Sequence, residues 1–204
     1  MVRCFAAECS SLPSVPSLFD TLPASWVTAW RERHGEMRDE GEQQKSLGGL
    51  YLLFANGGRG ILRYTSDGRP YFEDAVSEFS ITHTDSFVFC AIGEASDGAV
   101  GIDAESLSRV PSHRVSAIAS RWFSPLEQAL YEMDPTTETF LRLWTRKEAY
   151  VKYTGEGLRA LQGADTVALE SAELQFRSVM LGETCITVCT KKGKDPFFNF
   201  NKGE

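Results

Sequence analysis

Phe79-Ser80-Ile81-Thr82-His83 and Phe87-Val88-Phe89-Cys90-Ala91-Ile92-Gly93 flank Thr84-Asp85-Ser86, and this stretch decides the fold class. Aromatic and β-branched residues fill both arms, which predicts a β-hairpin around the three-residue turn. A third strand is predicted over residues 99–104, after the turn Ser96-Asp97-Gly98. Beyond it the pattern becomes helical: Val115, Ile118, Ala119 and Trp122 lie at i, i+3, i+4 and i+7, preceded by Pro111-Ser112. Ser124-Pro125-Leu126-Glu127 is a capping box with proline at the first helical position. Asp134-Pro135 is expected to open a further helix over residues 135–153, which Gly155 ends. Residues 166–169, 174–179 and 184–190 are predicted strands, and the polar tail from Lys191 carries Phe197, Phe198 and Phe200.

Upstream of the hairpin, the first 16 residues hold three serines and two prolines and are expected to be an irregular lead-in. Leu22, Trp26, Val27 and Trp30 recur at helical spacing within residues 18–34, the charged stretch 31–42 extends or follows that helix, and a second helix is predicted over 42–55. Asn56-Gly57-Gly58-Arg59-Gly60 breaks it. That run reads as a plain turn, because it has no GK[ST] ending and follows a helix, whereas a phosphate loop follows a strand. Residues 61–64 then extend before Ser66-Asp67-Gly68. Helices and a hairpin followed by a strand, helices and more strands predict an α+β fold of two similar α/β halves, an N-terminal one over residues 1–84 and a C-terminal one over 85–204.

The composition fits an ordinary folded chain: of 204 residues, 42% are hydrophobic and 24% charged, values that exclude disordered and fibrous classes. The longest apolar stretches, 50–55 and 87–92, are far short of the roughly 20 residues that span a bilayer. Glu8 interrupts the apolar N-terminal stretch behind Arg3, so no signal peptide can be drawn, and a cytoplasmic location is expected without membrane partners. The net charge of −7 argues against a nucleic-acid partner, which needs a basic face. Cys4, Cys9, Cys90, Cys185 and Cys189 contain no CxxC pair and are expected to be reduced thiols, with Cys185 and Cys189 on one strand face.

Nucleophile signatures such as GxSxG, HExxH and the Walker lysine are missing from the sequence, and what remains is a set of acids. Asp103 and Glu105 alternate onto one face of a strand end, on the order of 7 Å apart along the backbone. Such a pair is either solvated or bridged by a cation, and ligands that are oxygen alone suit a hard ion such as magnesium. Trp144, Glu148 and Lys152 stand at i, i+4 and i+8 on one helix face. Taken alone, they read as a packed tryptophan beside an ordinary i,i+4 salt bridge. If the face meets the strand carrying Asp103 and Glu105, a third carboxylate and a lysine join the metal, and the set becomes a phosphoryl-transfer site.

The order of these pieces resembles the 4′-phosphopantetheinyl transferases, in particular the monomeric type that activates surfactin synthetase. Val100-Gly101-Ile102-Asp103-Ala104-Glu105 is similar to the family's GIDxE, and Trp144-Thr145-Arg146-Lys147-Glu148-Ala149 with Lys152-Tyr153-Thr154-Gly155-Glu156-Gly157-Leu158 is similar to WxxKEAxxKxxGxGL. Gly68-Arg69-Pro70, Phe79 to Thr84 and Phe123-Ser124 through Glu127 look like three further family segments. The sequence departs from the pattern in Thr82 and Thr84 flanking His83, in Ala104, and in a thin basic cluster, Arg31, Arg33 and Arg38, spread among acids.

The resemblance implies a pseudo-dimer of two α/β halves in a monomeric chain, coenzyme A in the cleft between them, and metal and catalytic residues in the C-terminal half. It implies that the phosphopantetheine arm of coenzyme A passes to a serine of an apo acyl- or peptidyl-carrier protein, the expected partner. Asp103, Glu105 and Glu148 would hold magnesium, with manganese as a substitute. Glu148 would take the serine proton, and Lys152 would hold a phosphate oxygen and protonate the leaving group. Lys45, Arg69, Thr82 and His83 would contact coenzyme A. Glu127 is explained by its capping box and stays outside the site.

Overall fold

The structure is a computed structural model that describes residues 1–35, 37–74, 76–110, 112–157 and 159–200. Glu36 of the charged stretch, Pro111 before the predicted helix, and Leu158 at the end of the family-like motif lie outside the described residues. In chain order the elements are β1 (Arg3–Glu8), α1 (Val15–Thr21), α2 (Ala24–His34), α3 (Glu40–Ala55), β2 (Leu62–Tyr64), β3 (Pro70–Phe72), β4 (Ser77–His83) and β5 (Phe87–Glu94). There follow β6 (Val100–Ser106), α4 (Ser112–Trp122), α5 (Pro125–Met133), α6 (Thr137–Thr154), α7 (Arg159–Gly163), α8 (Thr166–Ala172), β7 (Leu174–Leu181), β8 (Thr184–Lys191) and β9 (Phe197–Asn199). They form two compact units, Met1–Gly98 joined by residues 197–200, and Ala99–Pro196. Both mix helices with sheet, so the chain is α+β.

In the first unit the sheet order is β4-β5-β1-β9. The predicted hairpin forms in register, Phe79 opposite Ile92 and His83 opposite Val88. Its turn is held by Thr84, whose amide donates to the Phe87 carbonyl at 2.8 Å and whose hydroxyl accepts from the Phe87 amide at 3.1 Å. The N-terminal lead-in corrects the sequence expectation: residues 3–8 are a strand pairing antiparallel with β5 and parallel with β9. The serines and prolines that suggested irregularity begin only at Ser10, after the strand ends. The single helix expected over 18–34 is two, because Pro23 ends the first and caps the second. Asp39 caps α3 through the Glu42 amide. These helices pack on the sheet around a core that includes Leu18, Trp26, Trp30, Leu47 and Leu53.

The second unit has the sheet order β6-β8-β7, all antiparallel. Helix α5 begins with the predicted capping box, Ser124 and Glu127 each accepting from the other's amide. Helix α6 ends at Gly155, which adopts the left-handed conformation at φ 73°, as expected for a glycine stop. Its start differs from the expectation, since Thr136 rather than Asp134-Pro135 supplies the cap, accepting from the Thr139 amide. Residues 166–169 are helical, not a strand: Asp165 accepts from the Val167 and Ala168 amides, and this cap overrides the β-branched Thr166-Val167 pair. All five cysteines are free, and Cys185 and Cys189 share one face of β8, a strand buried on both sides. Among the described residues no helix is long and apolar enough to cross a membrane.

Candidate active site

Alternation along β6 puts Gly101, Asp103 and Glu105 on one face, and α6 packs across it. Gly101 is the point of close approach. A Cβ there would lie 2.0 Å from the Ala149 carbonyl oxygen and 2.6 Å from the Tyr153 amide nitrogen. Only a residue without a side chain lets the helix backbone rest on the strand backbone at this height. The same contact brings Glu148, just before Ala149, and Lys152, one turn after Glu148, to the acidic end of the strand.

Lys152 Nζ donates to Asp103 Oδ1 at 2.8 Å, and Asp103 is 6% exposed. The lysine therefore pairs across to the strand rather than along the helix to Glu148. Glu148 is half-buried, and burial followed by the Asp103 charge pushes its carboxyl from 4.5 up to about 7; Lys152 pulls it part of the way back, and Glu105 adds a smaller push. Asp103, Glu105, Glu148 and Lys152 thus form one electrostatically coupled cluster. Among the described residues, as they stand, no three His, Cys, Asp or Glu side chains are grouped closely enough to hold one ion. The cluster's donors are carboxylate oxygens alone and carry an excess of negative charge, the chemistry a hard divalent cation takes.

The remaining expected residues lie in the first unit. Lys45 on α3 pairs with Glu42 and, at 3.8 Å, with Asp85, which brings it to the turn that follows His83. Its ammonium is held above the usual value, chiefly by the hydrogen bond with Glu42. Arg69 stands just before β3, half-buried; burial lowers its guanidinium and Glu78 opposes that. Thr82 is buried and His83 half-buried at the end of β4.

Glu127 does more than cap its helix. Its Oε2 accepts from Lys147 Nζ at 2.8 Å, and its Oε1 accepts from the Thr166 amide at 3.0 Å and the Thr166 hydroxyl at 2.6 Å. Glu127 and Lys147 are 0% and 1% exposed. The pair ties α5, α6 and the start of α8 together immediately beside Glu148 in sequence. Sequence reasoning missed this bridge, whose signal was a lysine and a glutamate each offset from the exposed face of its helix. It also gave no role to Gly101 or Thr145, although both lie inside the quoted motifs.

A strand-borne DxE pair thus faces a helix-borne glutamate and lysine, and comparison with known proteins shows which proteins the segment carrying them is similar to. Residues 99–194, a segment that carries all four clustered residues, match the model of the 4′-phosphopantetheinyl transferase superfamily. The chain is 33% identical over 145 residues to the 4′-phosphopantetheinyl transferase HetI of Nostoc sp., covering 58% of this chain and 59% of that protein. It is 34% identical over 101 residues to the 4′-phosphopantetheinyl transferase gsp of Aneurinibacillus migulanus, with 48% of this chain and 39% of that protein covered. Against the 4′-phosphopantetheinyl transferase Sfp of Bacillus subtilis it is 32% identical over 95 residues, covering 45% and 39%. The chain thus spans less than two thirds of the length of each relative, and its likeness is to the Sfp-like type.

Proposed function

We propose that the chain transfers the 4′-phosphopantetheine arm of coenzyme A to a serine hydroxyl of an apo acyl- or peptidyl-carrier protein, releasing adenosine 3′,5′-bisphosphate. The observation that carries this is the coupled cluster of Asp103, Glu105, Glu148 and Lys152 within the superfamily-matched segment. Asp103, Glu105 and Glu148 would hold magnesium, or manganese in its place; when bound, the ion supplies positive charge to the pyrophosphate oxygens.

The chain's own residues then have distinct tasks. Glu148 accepts the proton of the carrier serine, directly or through water, as the serine oxygen–phosphorus bond forms and the bond from phosphorus to the nucleotide bisphosphate breaks. Lys152, released from Asp103, donates an N–H to a phosphate oxygen and supplies a proton to the leaving phosphate. Lys45, Arg69, Thr82 and His83 would hold the nucleotide phosphates of coenzyme A. The nucleophile belongs to the partner, which accounts for a sequence without a serine or cysteine triad.

The test is to incubate the protein with an apo carrier, coenzyme A and magnesium, and weigh the carrier by mass spectrometry. The expected result is a gain of one phosphopantetheine, lost with a chelator and with Asp103→Ala or Glu148→Ala. A carrier left unmodified across fatty-acid, polyketide and peptide-synthetase types overturns the proposal.

A further inference from the structure

We infer that Thr187 is a positioning residue for this site, acting through a buried hydroxyl chain that fixes how α6 lies on the sheet. The inference takes the purpose of the carboxylates from the proposed function; the chain of hydroxyls stands on its own geometry. Thr145 on α6 and Thr187 on β8 are both 0% exposed, and their hydroxyl oxygens are 2.7 Å apart. Thr187 Oγ1 lies 2.8 Å from Ser178 Oγ on β7. The Leu141 carbonyl can only accept, so Thr145 directs its single hydroxyl proton there, at 2.8 Å. In that arrangement Thr187 donates to Thr145 and Ser178 to Thr187, and the Cys185 thiol lies against both threonine hydroxyls. The donors run one way, from β7 through β8 into the helix, with each proton used once.

The place of this chain in the fold gives it its role. Thr187 stands directly opposite Asp103 in the β6–β8 pairing, and Cys185 opposite Glu105. Thr145 lies one turn before Glu148. The helix is thus anchored to the sheet at two points, by the hydroxyl contact at Thr145 and by the backbone contact of Ala149 on Gly101, and Glu148 sits between them. Loosening the first anchor changes the spacing of Glu148 from Asp103 without touching either carboxylate. Thr187→Val keeps the volume of the side chain while removing the donor to Thr145 and the acceptor for Ser178. Thr187→Ser keeps both functions.

Thr187→Val, which acts on the carboxylates only through the seating of α6, is expected to weaken Mn2+ binding, followed by electron paramagnetic resonance, by about tenfold, the lower end of the range for direct outer-shell partners of ligand residues. Turnover with saturating carrier should fall by a similar factor while the KM for coenzyme A stays put, and amide hydrogen exchange over residues 144–152 should quicken relative to the β4–β5 hairpin. Thr187→Ser should restore all three, and Ser178→Ala, which removes only the outermost donor, should move them less and in the same direction. A Thr187→Val protein with wild-type Mn2+ affinity and unchanged exchange over α6 overturns the inference, as does a Thr187→Ser protein as impaired as the valine variant. A wild-type chain that binds no Mn2+ would count against the proposed function, whereas the exchange pattern still decides the role of Thr187.

Discussion

The raised carboxyl of Glu148 makes a prediction about stability that needs no substrate. In the unfolded chain this group releases its proton near 4.5, and in the folded protein near 7. Between those values the folded state binds more protons than the unfolded state, so stability falls as pH rises through that window, and the full penalty applies above it. A carboxyl displaced this far carries at most about 3 kcal/mol against its charged form. Glu148 is only half-buried, and solvent screening reduces this to about 1 to 2 kcal/mol. Glu148→Gln, which keeps the shape and removes the charge, should therefore leave stability unchanged at pH 4.5 and raise it at pH 8 by that amount. For a chain of this size that corresponds to about 3 to 6 °C in Tm. Differential scanning fluorimetry of the metal-free protein at the two pH values measures it, and millimolar magnesium should cancel the gain by favouring the charged wild-type site. Equal effects of the substitution at pH 4.5 and pH 8 would refute the reasoning, because the penalty would then not be electrostatic.

Gly101→Ala should destabilise the protein by about 3 kcal/mol in urea unfolding, since the new Cβ meets backbone atoms of α6 that no rotamer change can clear. Lys147→Met leaves the Glu127 carboxylate buried without its cation and should cost about 3 to 5 kcal/mol; combining it with Glu127→Gln should recover part of the loss in the same measurement. Lys152→Ala should lower turnover in the carrier-modification assay by about a hundredfold, and because it leaves the buried Asp103 carboxylate without its cation it should also lower stability, by less than Lys147→Met since Lys152 is partly exposed. Asp165→Ala removes the cap that makes residues 166–172 helical and should lower stability by about 1 kcal/mol in thermal unfolding.

What could be read without coordinates follows from the range of the interactions involved. The hairpin, the capping box at Ser124 and the glycine stop at Gly155 are set by residues within a few positions of one another, and each formed where expected. The strand at residues 3–8 depends on partners near residues 90 and 198, so its short sequence carried too little signal. Thr166-Val167 was misassigned because one capping aspartate outweighed two β-branched side chains. In the candidate site, periodicity put Asp103 with Glu105 and Glu148 with Lys152, and only their meeting had to come from the resemblance. The exchange of partners, with Lys152 bonded to Asp103 rather than Glu148, was not legible, because it depends on the helix height that Gly101 permits.

One strand of the first unit bears on how the chain is made. β1 takes β5 along one edge and β9 along the other, with Phe200 just beyond β9 placing its ring 5.8 Å from that of Phe89 on β5. The whole of Ala99–Pro196 is translated between the halves of that β1–β9 pair. An edge with open N–H and C=O groups is a template for unwanted pairing, and β1 keeps one until residues 197–199 leave the ribosome. Chains halted before that point, or fusions that hold the Phe-rich segment away from β1, would be the forms most prone to self-association.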